Sequence, residues 1–415
     1  MASTPPPVLL KNPFRPGAGQ QPTYLAGRTK EQDVFREMLR QDPVSQNAIV
    51  TGLRGVGKTV LLEAFRPIAH QEKWLWTGND LSESTSVTED RVARRLVVDL
   101  SLVLGPIIEV GKSSTTGFVA RPQAATRALA FDDLWSLYER TPGLVLDKLK
   151  AVFVQVAELL AQAPIRGVVF AYDEAQNLAD HAKDKEYPLS LLLDLFSYLQ
   201  RVQLKKSFML VLTGLPTLFP KLNEARTYTE RMFHVLQLDQ LGYEDAHKAV
   251  VEPLNMTNST LRFSEQTVKD IVKMSGGYPY FIQFIGKEVF DAWIGKLTKG
   301  EVPSVPLNQI LEKLDQDFFS PRWTRATDRQ QQFMTVIAQL PNADDEFSVA
   351  EIARASKQKL KTGFTPSHAT QVLQTLAERG LIYKNRRGAY CFAVPLLAQF
   401  IRRQELDPDA VKPLL

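Results

Sequence analysis

Short apolar runs recur along the first half of the chain, separated by amphipathic stretches of helical period. Asn47–Thr51, Trp74–Thr77, Gly167–Asp173, Phe208–Thr213 and Phe233–Leu238 read as strands. Three of them are almost wholly apolar, as a strand covered on both faces must be. Lys58–His70, Glu89–Leu104, Leu144–Gln162 and Pro188–Val202 repeat apolar residues every three or four positions and are predicted helices. From Tyr24 to about Leu238 this alternation builds a parallel sheet with helices on both faces, a three-layer α/β fold. Gly111–Gln123, rich in Gly, Ser and Thr, is expected to be an inserted loop.

Beyond Tyr243 the pattern is helical only, to about Trp293, broken at Ser275-Gly276-Gly277-Tyr278-Pro279, where one helix must end before the next begins. Pro303–Trp323 reads as a mixed polar connection. Helices are then expected at Gln331–Leu340, Val349–Ala355 and Ser367–Arg379, the last with Thr365 as cap and Pro366 in its first turn. Leu381–Lys384 and Ala389–Ala393 alternate as two strands around Asn385–Gly388. Three helices followed by a basic hairpin look like a winged helix. The Pro- and Gly-rich start is an extended arm, either loose or laid along the next domain. The expected division is an arm at 1–23, an α/β core at 24–240, a helical lid and connection at 241–325, a winged helix at 326–405 and a tail at 406–415.

Composition narrows the class. With 415 residues, 44% hydrophobic and 23% charged, the chain is globular and long enough for several domains, which excludes a fibrous or wholly disordered protein. A net charge of +4 is too small to make the whole surface a polyanion binder, but Ser320–Leu415 alone carries +5 and the rest −1. The single Cys391 excludes an internal disulfide, and the five scattered His residues show no zinc spacing. Neither a signal-like start nor a membrane-spanning apolar run appears, so a soluble, cytoplasmic protein with no membrane attachment of its own is expected.

Gly52-Leu53-Arg54-Gly55-Val56-Gly57-Lys58-Thr59 fits GxxxxGK[ST] between an apolar strand and an amphipathic helix, the context of a phosphate-binding loop. Its glycines let backbone amides turn toward phosphate oxygens, and the next helix offers its positive end. Gly52, Gly55, Val56, Gly57 and Val60 are expected around the phosphates, with Lys58 on the β and γ groups and Thr59 on Mg²⁺. Asp173-Glu174 closes a buried strand and supplies two acids side by side. Asp173 is expected to hold the Mg²⁺ shell and Glu174 to deprotonate the attacking water. Thr213, ending the strand expected between these two, is a candidate to hold that water or the γ phosphate. The implied ligands are ATP and Mg²⁺.

Together with Leu25-Ala26-Gly27-Arg28 followed by Glu31, with Tyr172–Gln176, Thr213-Gly214 and Gly276–Pro279, these motifs resemble the AAA+ and STAND-related P-loop ATPases. The archaeal-type branch, similar in layout to origin-recognition ATPases, is the nearest in pattern. The resemblance implies that Arg28 approaches the adenine and that Gly277 and Pro279, in the lid turn, cap the base. It also implies an arginine finger acting on a neighbouring subunit, with Arg231 the first choice and Arg226 the second, and hence a homo-oligomer or partner protein. Unlike origin-recognition ATPases, the helix Phe281–Val289 contains no sensor arginine, which moves the likeness toward the STAND side, where nucleotide acts as a switch.

In the C-terminal unit Ala369, Val372, Leu373, Leu376 and Ala377 form an apolar stripe, leaving His368, Gln371, Gln374 and Thr375 on the other face. For double-stranded DNA, His368 and Gln371 would read the groove, while Lys357, Lys359, Lys361, Arg386 and Arg387 would meet phosphates. A protein-docking role for the same unit stands beside that reading. The expected function is an ATP-binding and hydrolysing switch or assembly factor whose nucleotide state controls the winged helix. The alternatives are a nucleotide-liganded DNA-binding regulator with little hydrolysis, or a signalling or host-defence ATPase that docks protein.

Overall fold

Five parallel strands organise the first of two compact units, which contains residues 28–52 and 58–238. The structure, a computed structural model, describes residues 11–82, 87–113, 123–202, 204–257, 261–300, 305–386 and 388–406. In this unit the strands are β1 (Asn47–Gly52), β2 (Trp74–Thr77), β3 (Gly167–Tyr172), β4 (Ser207–Gly214) and β5 (Phe233–Leu238). Their order across the sheet is β2-β3-β4-β1-β5, so β4 separates β1 from β3. Val50 stands opposite Thr213, and Tyr172 opposite Leu212. β1 and β3 are buried along their whole length, which is why their sequences are nearly continuous apolar runs.

The helices of this unit are α1 (Thr29–Arg40), α2 (Lys58–Gln71), α3 (Glu89–Ser113), α4 (Gln123–Arg140), α5 (Val145–Leu159), α6 (Pro188–Arg201), α7 (Leu218–Ala225) and α8 (Thr229–Met232). Phe153, Phe170, Phe196 and Phe208 meet edge to face or tilted at the centre, between α5, α6 and the sheet. The loop expected at Gly111–Gln123 is corrected at both ends: Gly111–Ser113 continue α3, and Gln123 opens α4. The intervening 114–122 lie outside the described residues. Ala-rich α4 lacks a clear apolar stripe, and its order comes from packing: Leu134 and Tyr138, one turn apart, are both buried.

The second unit contains residues up to Gly27, Leu53–Gly57, and Asp239 onward. It begins with α9 (Tyr243–Met256), α10 (Glu265–Ser275) and α11 (Pro279–Leu297). Ser264 caps α10 by accepting the Thr267 amide at 3.2 Å, and Gly276 ends it at φ 57°. Pro303–Trp323 is not a polar connection over its described part. It forms α12 (Leu307–Leu314), a π-helical turn (Asp315–Phe319) and α13 (Ser320–Trp323). Ile310, Leu314, Phe319 and Trp323 are buried in the core, and the polar residues between them are the outer face of one amphipathic run.

There follow α14 (Asp328–Ala338), β6 (Phe347–Ser348), α15 (Val349–Lys359), α16 (Pro366–Glu378), β7 (Ile382–Arg386), β8 (Ala389–Phe392) and α17 (Leu397–Leu406). β6, β8 and β7 pair antiparallel in that order. The order along this segment is helix, strand, helix, helix, strand, strand and a closing helix. Three cap signals start its helices: Thr327 with Gln330, Ser348 with Glu351, and Thr365 before Pro366. The two-residue β6 and the closing α17 were not foreseen from the sequence pattern. No helix among the described residues is long and apolar enough to cross a membrane.

The N-terminal arm is laid along α11. Phe14 is buried, and a Cβ on Gly286 would lie 2.7 Å from its ring, so that glycine supplies the flat seat. Asn12 donates to the Lys287 carbonyl at 3.0 Å, and the Arg15 amide donates to Gln283 at 3.0 Å. Phe14→Ala should cost about 3 kcal/mol of this unit's stability. Hydrogen exchange at the α11 amides should quicken accordingly, and unchanged protection there would refute the seat.

Candidate functional site

At the carboxyl ends of β1, β3 and β4 the first unit gathers Lys58, Thr59, Asp173 and Thr213. Asp173, 4% exposed, is the hub. Its Oδ2 accepts from the Thr59 hydroxyl at 2.5 Å, and its Oδ1 from the Glu174 amide at 2.7 Å and from the Thr213 hydroxyl. Thr213 is fully buried and sits between the other two by virtue of β4's place in the sheet. The Lys58 ammonium donates to the Gly52 carbonyl at 3.0 Å, drawn back along the loop it follows. Gly55 and Gly57 take φ of 79° and 93°, the conformations for which this loop needs glycine. Val56 is buried, and Val60 lies in the first turn of α2.

Glu174 adopts φ 52°, uncommon for a residue with a side chain, as the backbone leaves β3. Its carboxylate is exposed and accepts from the Gln176 amide. Through its own oxygen Gln176 also accepts the Leu215 amide at 3.2 Å, tying the ends of β3 and β4 together. The sequence reading quoted Gln176 within a motif without giving it this positioning role. Behind the strand, the Tyr172 hydroxyl donates to the buried Asp99 at 2.6 Å, and Arg95 pairs with the same carboxylate at 3.0 Å. Burial pushes the Asp99 carboxyl up and the Tyr172 phenol well up, the latter reinforced by the Asp99 charge.

The donor set suits a small, hard cation. Thr59 Oγ1 and one Asp173 oxygen would be the protein ligands, leaving the remaining positions to water and substrate, as Mg²⁺ prefers. Among the described residues no group of three or more His, Cys, Asp or Glu could hold a metal, so a closed protein cage of those residues is not offered there.

The remaining candidates are placed separately. Arg28 is buried in the first unit and pairs with Glu31 at 3.5 Å. Gly277 and Pro279 belong to the second unit. Gly277, at φ 74°, has a backbone reason for being glycine, since a Cβ would lie 2.5 Å from the Leu241 carbonyl. Its own carbonyl accepts the Leu241 amide at 2.9 Å. Pro279 opens α11 at its first turn. Arg226 forms a two-pronged bridge to Asp194 at 2.9 and 2.8 Å, with Tyr228 donating to the same carboxylate at 2.6 Å. Arg231 is exposed and lines a groove with Ser45, Lys150, Tyr198, Arg201 and Tyr228. Lys357, Lys359, Lys361 and Gln371 are exposed on the second unit, whereas His368 is half-buried against the Phe364 ring at 5.2 Å. Lys359 donates to Gln339. Arg386 ends β7, and Arg387 lies outside the described residues.

A parallel sheet in this order, with a GxxxxGK[ST] loop after β1, an Asp-Glu pair after β3 and helices following, has the layout of the origin-recognition-like AAA+ P-loop fold. Solved structures agree. A Walker-type ATPase of Pyrococcus abyssi is 18% identical at a TM-score of 0.57, covering 91% of this chain and 96% of its own. The ORC2 protein of Aeropyrum pernix, solved as ADPNP–ADP complexes, is 12% identical at 0.53, covering 94% of this chain and 97% of its own. Its ADP form is 11% identical at 0.53, with 95% and 97% covered. Residues 316–401 match the family described as a domain of unknown function, DUF8462. No curated protein sequence matches the chain.

The Asp194 knot carries a pH signature. Burial pushes its carboxyl up, but the Arg226 and Tyr228 hydrogen bonds outweigh this and hold it below the ordinary value of 3.8. A depressed carboxyl stabilises the fold above the unfolded value and loses that contribution as pH falls through the folded one. Asp194→Asn should therefore lower the urea midpoint at pH 7 by the equivalent of about 1 kcal/mol. The gap from wild type should close well below pH 3.8, and a constant gap across that range would exclude the linkage.

Proposed function

We propose that the chain is an ATP-binding and ATP-hydrolysing AAA+/STAND-like switch or assembly factor, whose nucleotide state controls a C-terminal winged helix that acts on DNA or on a partner protein. The observation that carries the reading is the junction of Thr59, Asp173 and Thr213 directly after a GxxxxGK[ST] loop. A buried carboxylate held by hydroxyls from two other segments is the expected support of a phosphate-linked Mg²⁺. In this reading the loop amides and Lys58 bind the phosphates, and Thr59 and Asp173 would hold Mg²⁺, which would supply charge neutralisation to the phosphates. Glu174 takes the proton of the water that attacks the γ phosphorus in line, and ADP leaves. Thr213 orients Asp173 and, through it, the site. The likeness to an ORC2 protein solved with ADPNP and ADP supports the ligand class.

Winged-helix contact with duplex DNA is supported by the exposed Lys357, Lys359 and Lys361, and docking to a partner protein uses the same module. Arg231, exposed beside the groove, is proposed as the finger for a neighbouring copy, since Arg226 is engaged by Asp194. Arg28, Gly277 and Pro279 are proposed for the base. A second reading has one observation in its favour. The Glu174 carboxylate accepts from Gln176, and a base so engaged must be released before it takes a proton. A slow, nucleotide-liganded regulator fits that restraint.

Lys58→Ala should abolish nucleotide binding, measured by fluorescence titration. Glu174→Gln should keep ATP bound and lower turnover by about 10² to 10⁴, since a positioned base contributes that much. Full turnover in Glu174→Gln would remove it from the chemistry. If Arg231 acts in trans, turnover per subunit should fall on dilution, and a constant value would reject the finger.

A further inference from the structure

We propose that Asp99 is a positioning residue for Asp173 and Glu174: from outside the phosphate site it fastens the ends of both β2 and β3, and so sets where the two acids stand. The inference rests on the hydrolytic reading of that pair. Asp99 lies on α3 and is fully buried, as are Val92, Ala93, Leu96, Val97 and Leu100 of the same helix. Those apolar side chains share one core with Val168 and Phe170 of β3, so α3 is already held to the sheet without a carboxylate. A buried acid costs free energy there that a leucine would not. What it adds is direction, because a charge-assisted hydrogen bond holds its partner at one distance and angle.

Asp99 reaches two strands at once. Its Oδ2 accepts from the hydroxyl of Tyr172, the last residue of β3, at 2.6 Å and from Arg95 Nε at 3.0 Å. Its backbone carbonyl accepts from the hydroxyl of Thr77, the last residue of β2, at 3.2 Å. The segment that leaves β2 at Thr77 then lies along the end of β3. Gly78, at φ 115°, is pressed so close that a Cβ would stand 2.0 Å from the Ala171 carbonyl oxygen. Asp80 bridges beside Asp173, and the Leu81 amide donates to the Asp173 carbonyl at 2.9 Å. Asn177, in the turn after Glu174, donates to the Leu81 carbonyl at 2.9 Å. The backbone of Asp173 and the turn behind Glu174 are therefore backed by a segment rooted on Asp99. The side chain of Tyr172, one residue before Asp173 and on the opposite face, is anchored at its far end by the same carboxylate. A general base must stand within hydrogen-bond reach of its water, and a misplacement of about 1 Å can cost about 10² in rate.

The test uses the full chain, with turnover and equilibrium titration of ATP and ADP, and amide hydrogen exchange on the protein without nucleotide. Tyr172→Phe removes one oxygen and keeps the ring, so it carries the test even if Asp99→Ala melts early. Tyr172→Phe should lower turnover about tenfold, the usual worth of a hydrogen bond to a charged group, while both nucleotide affinities stay within about threefold. Exchange at the Glu174 and Leu81 amides should quicken by a similar factor, with the β1 amides unchanged. The double variant Tyr172→Phe/Asp99→Ala should lose no more turnover than Asp99→Ala, since both act through one bond. A lowered unfolding temperature with turnover and those two amides unchanged in Tyr172→Phe would make the contact a fold support only and overturn the proposal. Losses that multiply in the double variant would overturn it as well. If folded wild type shows no turnover, or Glu174→Gln keeps all of it, the hydrolytic reading falls and this inference with it. If Glu174→Gln stops turnover and Tyr172→Phe matches wild type, this inference alone falls.

Discussion

One buried carboxylate sets the geometry of the α/β unit. Asp173 is almost removed from water, so its oxygens need donors from the protein, and it finds them on three segments: Thr59 at the start of α2, Thr213 at the end of β4, and the amide of Glu174. That requirement fixes which strands are neighbours. β4 must lie between β1 and β3 for Thr213 to stand beside Asp173 while the loop after β1 brings Thr59 to the other oxygen. The sheet order and the chemistry of the site are therefore one constraint seen twice.

Strand alternation extends the argument to the residue before it. Tyr172 and Asp173 face opposite sides, because successive side chains of an extended chain do. Asp173 turns toward α2 and Thr59, while Tyr172 turns toward α3 and its buried Asp99, with Arg95 one turn earlier completing the set. Two buried acids thus flank the end of β3, Asp173 held by Thr59, Thr213 and the Glu174 amide, and Asp99 by Tyr172 and Arg95. Either acid left without its partners would incur the desolvation cost of an unpaired charge, so the end of β3 is held from both sides. Glu174 then leaves in a left-handed conformation, which projects its side chain into solvent while its amide stays on Asp173.

Much of this was legible in the sequence because burial on both faces forces a strand to be apolar, and because a phosphate loop needs glycines at fixed positions. β2 and β5 fall within the bounds read from the pattern, and Thr365 caps α16 as its residue type implies. The less legible parts share a different physics. α4 has no clear stripe, and its described side chains pack through the buried Leu134 and Tyr138 with Phe131 and Trp135 half-buried beside them. Pro303–Trp323 looked polar because its buried positions are spaced for a helix that includes a π-helical turn, so the apolar residues fall out of simple register. Two-residue β6 is too short for any period to be read, and its order comes from pairing with β8, where Phe347 meets the Phe392 ring at 5.6 Å. Gln176 carried no signal of type or spacing, since an amide acquires a role only when folding supplies its neighbours.

The excess positive charge of the C-terminal segment shows why a net count is a poor guide to a surface. Arg402 and Arg403 are neutralised by Asp344 and Asp315, and they fasten α17 to the rest of the unit. Arg322 lies over the Phe318 ring at 4.1 Å, and Arg379 donates to the Arg325 carbonyl at 2.7 Å. Lys357, Lys359 and Lys361 are left exposed around the end of α15. The +5 of this segment is therefore no single patch. An outward lysine group, dispersed in water and screened by salt, is suited to a long polyanion. Arg322, half-buried over an aromatic ring, is held in one place instead. Charge in this segment therefore partly fastens the fold and partly stays in solvent.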